Sequence, residues 1–448
     1  MPIKKLIEQT FQQIDGDWQS VNQIVGVGTD TRTDLSNKLF VPLKGDNFDG
    51  HHFIEKAIEQ GAIAALWHHD YPRPTTVGKE FPLIKVADPL IGLQELAHVY
   101  LHFVNPKVVA ITGSNGKTTT KDLVYAVASV GYQTHCTEGN FNNHIGLPLT
   151  ILTMPETTEV IVLEMGMNHF GEIERLVEIA QPDLAIITNI GESHIEHLGS
   201  RTGIAKAKLE ITTHFKTDSL LIYDGDESLL VSEYPFETIS VGFDQSNDYF
   251  INDCQILNSE TRFKLADQAY NYTVPLIGKH QAKNAVYSIV VGQQLGLSTD
   301  QIQAGLKTIE MTQMRFEKQV QANGVTLIND AYNASPTSMK ATIETLAQLD
   351  GYQEKIVVLG DMFELGRQSL RYHQEVGESI SSEIDFVYTI GEAAEQISQA
   401  TSVPARHFTT KEALLKQLEL KLNKGTVILF KASRGMKLEQ VIDALSNV

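Results

Sequence analysis

Short apolar runs alternate with amphipathic stretches through the middle of the chain. Four runs rich in β-branched residues, at 107–112, 159–165, 183–190 and 219–223, lack a polar–apolar alternation. Strands that are buried on both faces have this character. Helical patterns separate several of these runs, as the crossover connections of parallel strands require. The middle of the chain therefore predicts a mostly parallel sheet flanked by helices.

The same pattern returns near the C-terminus, where apolar runs at 325–330, 355–361, 385–391 and 426–433 predict a second, smaller doubly wound sheet. The first segment indicates a mixed α/β unit. At roughly 150 residues per domain, a chain of this length favours about three domains. We predict an α/β protein of three domains, with boundaries at 1–103, 104–312 and 313–448.

Composition excludes several classes of protein. The 448 residues include 36 Lys and Arg against 55 Asp and Glu, a formal net charge of −19. Because so acidic a surface repels a phosphate backbone, a general nucleic-acid coat is excluded. The hydrophobic fraction of 42% supplies ample material for globular cores, which excludes a disordered chain.

Cysteine usage and the N-terminus indicate the compartment. The two cysteines, Cys136 and Cys254, are too few for a disulfide framework or a cysteine zinc cluster. The N-terminus has no sustained apolar run of the kind that a signal peptide contains. No apolar run approaches the ~20 residues that a membrane span needs. We expect a soluble, cytoplasmic protein.

The most specific motif is Thr112-Gly-Ser-Asn-Gly-Lys-Thr-Thr119, which directly follows the predicted strand at 107–112 and precedes a helical run. A strand, a glycine loop and a helix in this order direct backbone N–H groups and the helix dipole at one point, which suits a phosphate. An ordinary turn that happens to contain the same letters would not need this context on both sides. The motif predicts an ATP site.

Two side chains of this motif carry specific chemistry. Lys117 is expected to neutralise the β- and γ-phosphates, and the Thr118 hydroxyl is expected to bind Mg²⁺. The common pattern has a glycine at the position of Ile111. The loop is therefore a shortened form that begins at Gly113.

Two further polar residues follow buried strands of the same segment. Glu164 ends the apolar run at 159–165, and His194 comes just after the run at 183–190. Ligands of α/β proteins bind at the carboxyl ends of strands, although a solvated turn would also accept either residue. With the phosphate loop in a third strand unit, the pattern favours a metal–phosphate centre that contains both.

Lys208 falls in an apolar helical stripe. Ile204, Ala207, Ile211 and Phe215 share its face at helical spacing. A buried ammonium is costly unless it is paired or chemically changed, but a lysine can also extend to the edge of such a stripe. The spacing leaves both interpretations open.

Several strand ends of the third segment carry polar loops. Asp330 and Asn333 follow one strand, and Lys431 and Arg434 follow another. Ser335 precedes a proline and is a good helix N-cap, so it has a structural explanation of its own. Asp361 and Glu364 follow a further strand in the same way. We predict that this edge of the domain faces a ligand.

Taken together, these motifs resemble the Mur ligase family, the ATP-dependent amide-forming enzymes of peptidoglycan precursor synthesis. The resemblance covers nearly the whole chain in order and includes the shortened phosphate loop. The motifs, in chain order, are TDTR, GDNFDGH, TGSNGKTTT, EGNFNNHIGLP, LEMG, NIGESHIEHLG, AKAKLEI, GKHQAKNA, MRFE, NDAYNASPTSM, LGDMFELG and KASRGMKLE. NDAYNASPTSM and LGDMFELG most resemble the members that add D-alanyl-D-alanine to UDP-N-acetylmuramoyl-tripeptide.

The resemblance implies a UDP-sugar-binding N-terminal domain, a central ATPase domain and a C-terminal Rossmann-like domain that closes over both. It implies that the tripeptide carboxylate attacks the γ-phosphate of ATP to give an acyl phosphate, which the dipeptide amine then attacks. ATP, Mg²⁺ at two sites, UDP-N-acetylmuramoyl-tripeptide and D-alanyl-D-alanine are the implied ligands, with a monomer as the expected state and no nucleic acid or membrane span.

The resemblance also implies roles for individual residues. Lys117, His194 and Lys208 are the expected catalytic residues, and Thr118, Glu164, His194 and Lys208 the expected Mg²⁺ ligands, with Lys208 as a carbamate. The expected nucleotide contacts are Gly113, Ser114, Asn115, Gly116, Lys117, Thr118, Thr119, Asn284, Arg315 and Asp330. The expected UDP-sugar contacts are Asp30, Thr31, Arg32, Asn140, Asn142 and Asn143, and the expected dipeptide contacts are Asn333, Ser335 and Arg434.

Rival functions predict different features. A sibling ligase that adds the third residue would carry a different C-terminal signature, and a folylpolyglutamate synthase would lack the UDP-binding first domain. A phosphate-loop ATPase that switches a partner would turn over ATP without any peptide substrate. An amidotransferase subunit on the same core would normally need a companion glutaminase.

Overall fold

The computed structural model describes residues 3–45, 47–266, 268–310, 312 and 314–446. Asp46 of the GDNFDGH motif and Gln313, at the predicted start of the third domain, lie outside these residues. Three sheets, of five, nine and six strands, organise the described chain. Most neighbouring strands in them are parallel, as the alternation of apolar and amphipathic runs predicts.

The N-terminal part contains the five-stranded sheet in the order β1-β5-β4-β3-β2. Only β1 runs antiparallel to its neighbour. The strands are β1 Ile14–Asp15, β2 Gly26–Gly28, β3 Lys38–Phe40, β4 Ala64–His68 and β5 Leu83–Val86, and the helices are α1 Ile3–Thr10, α2 Ile54–Glu59 and α3 Pro89–Val104. The α3 helix begins at a proline with Asp88 as its N-cap, the arrangement that best satisfies a helix start.

The central part contains the nine-stranded sheet in the order β14-β13-β12-β11-β10-β9-β6-β8-β7. Its strands are β6 Lys107–Thr112, β7 Thr134–Cys136, β8 Val160–Glu164, β9 Leu184–Ile187, β10 Leu220–Asp224, β11 Glu237–Gly242, β12 Tyr249–Ile256, β13 Thr261–Leu265 and β14 Asn271–Val274. Its helices are α4 Lys117–Ala128, α5 Gly146–Thr153, α6 Glu172–Ala180, α7 Ile195–Leu198, α8 Arg201–Leu209, α9 Lys279–Gln294 and α10 Thr299–Lys307. The strands from β7 to β12 are parallel, and β12, β13 and β14 form an antiparallel extension.

The C-terminal part contains the six-stranded sheet in the order β15-β16-β20-β17-β18-β19, in which only β15 is antiparallel. Its strands are β15 Glu317–Val320, β16 Thr326–Asn329, β17 Glu354–Gly360, β18 Phe386–Ile390, β19 Ala405–Phe408 and β20 Thr426–Lys431. Its helices are α11 Pro336–Ala347, α12 Ser369–Glu378, α13 Glu395–Ala400, α14 Lys411–Glu419 and α15 Glu439–Ser446. Short 3₁₀ helices occur at Trp18–Ser20, Gly50–Phe53, Glu210–Thr212, Gly366–Gln368 and Arg434–Met436.

The eight strands predicted from apolar runs are all present, at β6, β8, β9 and β10 and at β16, β17, β18 and β20. The α/β class is therefore confirmed, while the exact domain boundaries stay predictions. The pattern missed the strands with weaker signals. β13 alternates buried and exposed residues because one face of the antiparallel extension meets solvent, and β2 and β3 are only three residues long.

Among the described residues, no helix has the length and apolar character to cross a membrane.

The packing of α10 on α4 fixes the helix that follows the phosphate loop. Gly305 of α10 lies so close to α4 that an added Cβ would stand 2.6 Å from Val127 Cα and 2.9 Å from Ala126 O. Both partners are backbone atoms, so they cannot move aside as a flexible side chain would. The glycine is therefore required by the close approach of the two helices.

We predict that Gly305→Ala lowers the free energy of unfolding by about 1–3 kcal/mol, the usual cost of overpacking. Helix propensity alone would give the opposite sign, a gain of about 1 kcal/mol. Denaturant titration of Gly305→Ala measures overpacking and helix propensity together. Ala304→Gly, at an exposed position of the same helix, measures helix propensity alone. A stabilised Gly305→Ala protein would contradict the close packing of α10 on α4.

Candidate active site

The phosphate loop connects β6 to α4 and is held from behind by the strand end that follows β9. The backbone N–H of Ser114 donates to Asn189 O at 3.1 Å, and that of Asn115 donates to Asn189 Oδ1 at 3.0 Å. Gly113 has a φ of 151° and Gly116 a φ of 81°, in the region that favours glycine. A Cβ on Gly113 would stand 1.8 Å from Thr188 Oγ1. The predicted strand–loop–helix unit is thus present, with the unpaired N–H groups of the helix start directed outwards.

Lys117 is the first residue of α4, and its Nζ donates to Gly113 O at 2.8 Å across the loop. Burial lowers the pKa of Lys117, the Glu164 carboxylate opposes this shift, and the Arg315 guanidinium adds to it. Three charged side chains from three parts of the sequence therefore meet around the loop. The ammonium is placed where a bound phosphate would strengthen its charged form.

Glu164 ends β8 and is almost fully buried. One carboxylate oxygen, Oε1, accepts a hydrogen bond from Asn142 Nδ2 at 2.8 Å, which connects the strand end to the asparagine-rich loop. The other oxygen, Oε2, is buried without a hydrogen-bond partner among the described residues. An orphaned anionic oxygen beside a phosphate loop suits a cation, so this residue fits the Mg²⁺ that the family implies.

Lys208 lies inside the protein, with 2% of its surface exposed. Ile204, Ala207 and Ile211 of the predicted stripe are buried with it, although α8 ends at Leu209 and Phe215 is only partly buried. No hydrogen bond or ion pair involves its side chain in the described part of the chain. Burial, with repulsion from Lys117, lowers its pKa far below the ordinary range. The burial removes the interpretation that the lysine extends to solvent.

The C-terminal part supplies the opposite wall. Arg315 Nη2 donates to Thr118 Oγ1 at 3.3 Å, and the guanidinium stacks 4.1 Å above the Tyr332 ring. Asp330 Oδ2 lies 2.5 Å from the buried Lys431 Nζ, and Asp330 Oδ1 accepts from the Phe316 N–H at 3.2 Å. The two predicted nucleotide contacts of this part, Arg315 and Asp330, thus face the phosphate loop.

A cavity of about 370 Å³ lies between the central and C-terminal parts. It brings together fourteen of the residues that the sequence singles out: Ser114, Asn115, Gly116, Lys117, Thr118, Thr119, Asn142, Asn143, Glu164, His194, Asn284, Arg315, Asp330 and Asn333. Burial lowers the pKa of His280, which also borders the cavity, to about 4, so its ring is neutral at pH 7. The volume and the mixture of cations, amides and one buried carboxylate suit a polyanionic ligand.

Other predicted residues lie outside this cavity. Gly113 and Lys208 are not among the lining residues, and Asn140 is on the exposed surface of the asparagine-rich loop. Ser335 caps α11 in a capping box, as its structural explanation predicts, and its Oγ also donates to Asn115 Oδ1 at 3.1 Å. Arg434 pairs with Glu439 at 3.3 Å. The structure does not gather these dipeptide candidates into one pocket.

The predicted UDP-sugar residues of the first domain form a surface turn. Arg32 Nη2 pairs with Asp30 Oδ2 at 2.7 Å, and this hydrogen bond lowers the pKa of Asp30 to about 2. Thr31, between them, is buried. The neighbouring GDNFDGH motif is fixed from within, where Asp49 contacts His51 Nδ1 at 2.6 Å and accepts from the Tyr71 hydroxyl at 2.8 Å.

Sequence reasoning placed Lys431 and Glu364 only at a ligand-facing edge of the third domain, and it gave Asn189 no role. Asn189 holds the phosphate loop, Lys431 holds Asp330, and Glu364 contacts His194. Each follows a strand and was visible as a polar residue of a quoted motif, but its partner is distant in sequence. Within the described residues, no three His, Cys, Asp or Glu side chains form a ready metal site. Phosphate oxygens and the Thr118 hydroxyl would have to complete any Mg²⁺ coordination.

Comparison with known proteins identifies the family. "Mur ligase family, catalytic domain" matches residues 23–100, "Mur ligase middle domain" 111–292 and "Mur ligase, glutamate ligase domain" 314–434. The UDP-N-acetylmuramoyl-tripeptide–D-alanyl-D-alanine ligase of Bacillus subtilis is 46% identical over 453 residues, which cover 99% of this chain and 98% of that protein. The chain belongs to the Mur ligase family. The resemblance seen in the sequence motifs is confirmed.

Solved structures of Mur ligases share the whole architecture. MurF from Acinetobacter baumannii has a TM-score of 0.89 at 28% identity, with 99% of this chain and 98% of that one covered. The MurF ligase from Thermotoga maritima in complex with ADP has a TM-score of 0.84 at 30% identity, with 95% and 98% covered. The three-domain α/β organisation of a Mur ligase is therefore confirmed.

We predict that Lys208→Met raises the free energy of unfolding by about 1–3 kcal/mol at pH 7 in buffer freed of carbon dioxide, because it removes an unsatisfied buried amine. The lysine has a lower pKa in the folded than in the unfolded chain, so unfolding takes up a proton and stability rises with pH toward the ordinary lysine pKa. The advantage of the variant should therefore shrink between pH 7 and pH 10.

Denaturant titrations at several pH values check this prediction, with Lys206→Met on the exposed face of the same helix as the control. A Lys208→Met protein that is less stable than the wild type at pH 7, or whose difference does not depend on pH, would contradict it.

Proposed function

We propose that this chain joins the amine of D-alanyl-D-alanine to the terminal carboxylate of UDP-N-acetylmuramoyl-tripeptide, with conversion of ATP to ADP and phosphate. The observation that carries the proposal is the cavity beside the phosphate loop, between the central and C-terminal parts of the chain. It occurs in a chain that is 46% identical, over nearly its whole length, to the B. subtilis ligase of that name. Two solved MurF structures of the same overall fold support it, one of them an ADP complex.

The chemistry explains why such a site needs ATP. A carboxylate and an amine form an unreactive salt at neutral pH, so the carboxylate must first gain a leaving group. A carboxylate oxygen attacks the γ-phosphorus, and the bond to the bridging oxygen of ADP breaks. The dipeptide amine then attacks the acyl carbon, loses a proton, and the C–O bond to phosphate breaks. Positioning and charge neutralisation supply most of the rate enhancement of such a phosphoryl transfer.

The phosphate loop would hold ATP through residues 113–119. Lys117, already bent across the loop toward Gly113 O, would turn to the transferring phosphate. Arg315 reaches the same point from the other domain through Thr118. Cations from both sides would neutralise the charge that develops as phosphate transfers.

Mg²⁺ would complete the site, with Thr118 and Glu164 at one ion and His194 and Lys208 at a second. The orphaned Glu164 oxygen is the feature that best fits the first ion. When bound, the metal neutralises phosphate oxygens and orients them for transfer. The protein's own contribution is to hold these side chains at the start of α4, the end of β8, the loop after β9 and helix α8.

We also propose that Lys208 carries a carbamate. Burial lowers the pKa of its amine, which favours the uncharged, nucleophilic form. A bond between Nζ and the carbon of CO₂, with loss of one proton, would replace an uncompensated buried amine with an anion. That anion would offset the charge of Lys117 and supply the oxygen ligand that the second ion requires.

The remaining assignments follow the family pattern. Asn284, Arg315 and Asp330 would contact the nucleotide, while Asp30, Thr31, Arg32, Asn140, Asn142 and Asn143 would contact the UDP-sugar. Asn333, Ser335 and Arg434 are proposed for the dipeptide. Because ATP and a nucleotide-linked precursor are the proposed substrates, we place the reaction in the cytoplasm, with a monomer as the acting unit.

We expect phosphate release from ATP and Mg²⁺ to require UDP-N-acetylmuramoyl-tripeptide and D-alanyl-D-alanine together. The measurement is phosphate release with each substrate alone and with both, combined with mass spectrometry of the product. A product heavier by the dipeptide residue supports the ligase reaction, and tripeptides ending in lysine or diaminopimelate then define the third residue. Equal release without peptide substrates would contradict the proposal and indicate a phosphate-loop ATPase of another purpose.

We predict that Asp330→Asn raises the KM for ATP about 10- to 100-fold, the value of one charge-assisted hydrogen bond. Asparagine keeps the shape and an acceptor for Thr342 and Phe316. It removes the charge that pairs with the buried Lys431 Nζ, so the melting temperature should fall as well. Asp350→Asn, at an exposed site of the same domain, is the control. An unchanged KM for ATP in an Asp330→Asn protein that still folds would contradict a nucleotide role for Asp330.

A further inference from the structure

His194 and Glu364 meet across the boundary between the central and C-terminal parts. His194 Nδ1 lies 2.5 Å from Glu364 Oε2. Nδ1 is buried and has no aligned hydrogen-bond partner among the described residues, so Glu364 meets it as a close charged contact and not as an aligned hydrogen bond. Two residues later, the Glu196 N–H donates to the Glu364 backbone oxygen at 3.2 Å. Side chain and backbone of Glu364 are therefore both engaged with the segment that carries His194.

Both residues have an unusual backbone at this contact. His194 has a φ of 63° and Glu364 a φ of 60°, a left-handed conformation that is uncommon outside glycine. Such strain persists only where the surroundings enforce it, and it is concentrated at functional sites. The two strained residues face each other, which indicates that the contact between them is built into both loops.

The loop that presents Glu364 is anchored at each residue before it. Asp361 accepts the N–H groups of Glu392 and Ala394 at 3.0 and 2.7 Å. The Met362 N–H donates to His373 Nε2 at 2.9 Å, and the Phe363 N–H donates to Ser433 Oγ at 2.9 Å. Glu364 thus extends from a fixed part of its own domain, although its side chain is nearly half exposed.

The loop that presents His194 is held by the same domain at a second point. The Glu192 carboxylate accepts from the Thr337 hydroxyl at 2.8 Å and from the Thr337 N–H at 3.2 Å. Gly366, just after Glu364, lies against Glu196, where an added Cβ would stand 3.4 Å from its Cα. The short segment 191–196 is therefore clamped between α11 and the 3₁₀ helix at Gly366–Gln368.

We propose that Glu364 is a positioning residue that orients His194 and makes this orientation depend on closure of the C-terminal domain. The carboxylate, 2.5 Å from Nδ1, favours the ring proton on that nitrogen and leaves the Nε2 lone pair for the cavity that His194 lines. A carboxylate that fixes a histidine tautomer in this way typically contributes 10–100-fold to metal affinity or activity. With the domains apart, His194 would lose its partner and its preferred tautomer.

This inference deepens the proposed ligase function, and its kinetic test rests on that function. We expect Glu364→Ala to lower kcat by about 10–100-fold with little change in the KM for ATP, because Arg315 and Asp330 still meet the nucleotide. Glu364→Gln keeps a neutral acceptor, so its kcat should lie between those of Glu364→Ala and the wild type. Since a half-exposed polar contact adds little to stability, both variants should have the melting temperature of the wild type.

The deciding readout needs neither metal nor substrate. In protein labelled with ¹⁵N-histidine and free of nucleotide, the His194 resonance is identified by its loss in His194→Gln. At pH 8 we expect the Nδ1–H tautomer in the wild type and in the control Glu392→Gln, an exposed glutamate of the same domain. In Glu364→Ala the ring should shift toward the Nε2–H form that free imidazole side chains favour.

An unchanged tautomer in Glu364→Ala, or an unchanged kcat, would overturn the positioning role. So would a loss of kcat accompanied by an equal loss in Glu392→Gln. If the wild type forms no D-alanyl-D-alanine product, the proposed function fails, but the tautomer comparison still decides whether Glu364 orients His194.

Discussion

The site depends on a group of basic side chains that the protein alone does not balance. Lys117 and Arg315 converge near the phosphate loop, Lys208 lies close enough to Lys117 to be repelled by it, and burial lowers the pKa of both lysines. Glu164 is the carboxylate that opposes the Lys117 shift, and one of its own oxygens lacks a partner. Such an arrangement is costly in the free protein and becomes favourable when a polyanion and its metal occupy the cavity. Because the strands of the central sheet are fixed, the phosphate loop after β6 and Glu164 at the end of β8 keep these charged side chains close together.

The second wall of the cavity belongs to another domain, and this division has a chemical consequence. Asp330, held by the buried Lys431, and Arg315, stacked on Tyr332, line the cavity opposite the phosphate loop. An acyl phosphate is hydrolysed by water unless the site is closed around it. If these two residues contact the nucleotide as proposed, the reactive species would form only with both domains in place, which would couple substrate binding to exclusion of water.

The sequence predicted the parts of this site that are local. β6, the phosphate loop and α4 are contiguous, so their apolar run, glycines and helical pattern suffice to place Lys117 and Thr118. Helical spacing placed Lys208 in an apolar stripe but left its burial open, and the structure was needed to show that it is buried without a partner. In contrast, the contacts of Glu164 with Asn142, of Asp330 with Lys431 and of His194 with Glu364 join segments that no periodicity connects. The resemblance to a family suggested roles for several of these residues, but the order of strands in the sheets determines which of them meet.

The central claim is that this cavity activates a carboxylate by phosphorylation. It is tested most directly with UDP-N-acetylmuramoyl-tripeptide that carries ¹⁸O in both oxygens of its terminal carboxylate. Mass spectrometry of the products after turnover with ATP and D-alanyl-D-alanine follows each label. The account predicts one ¹⁸O in every released phosphate and one in the new amide. Unlabelled phosphate, with water as the source of its added oxygen, would contradict the acyl-phosphate route.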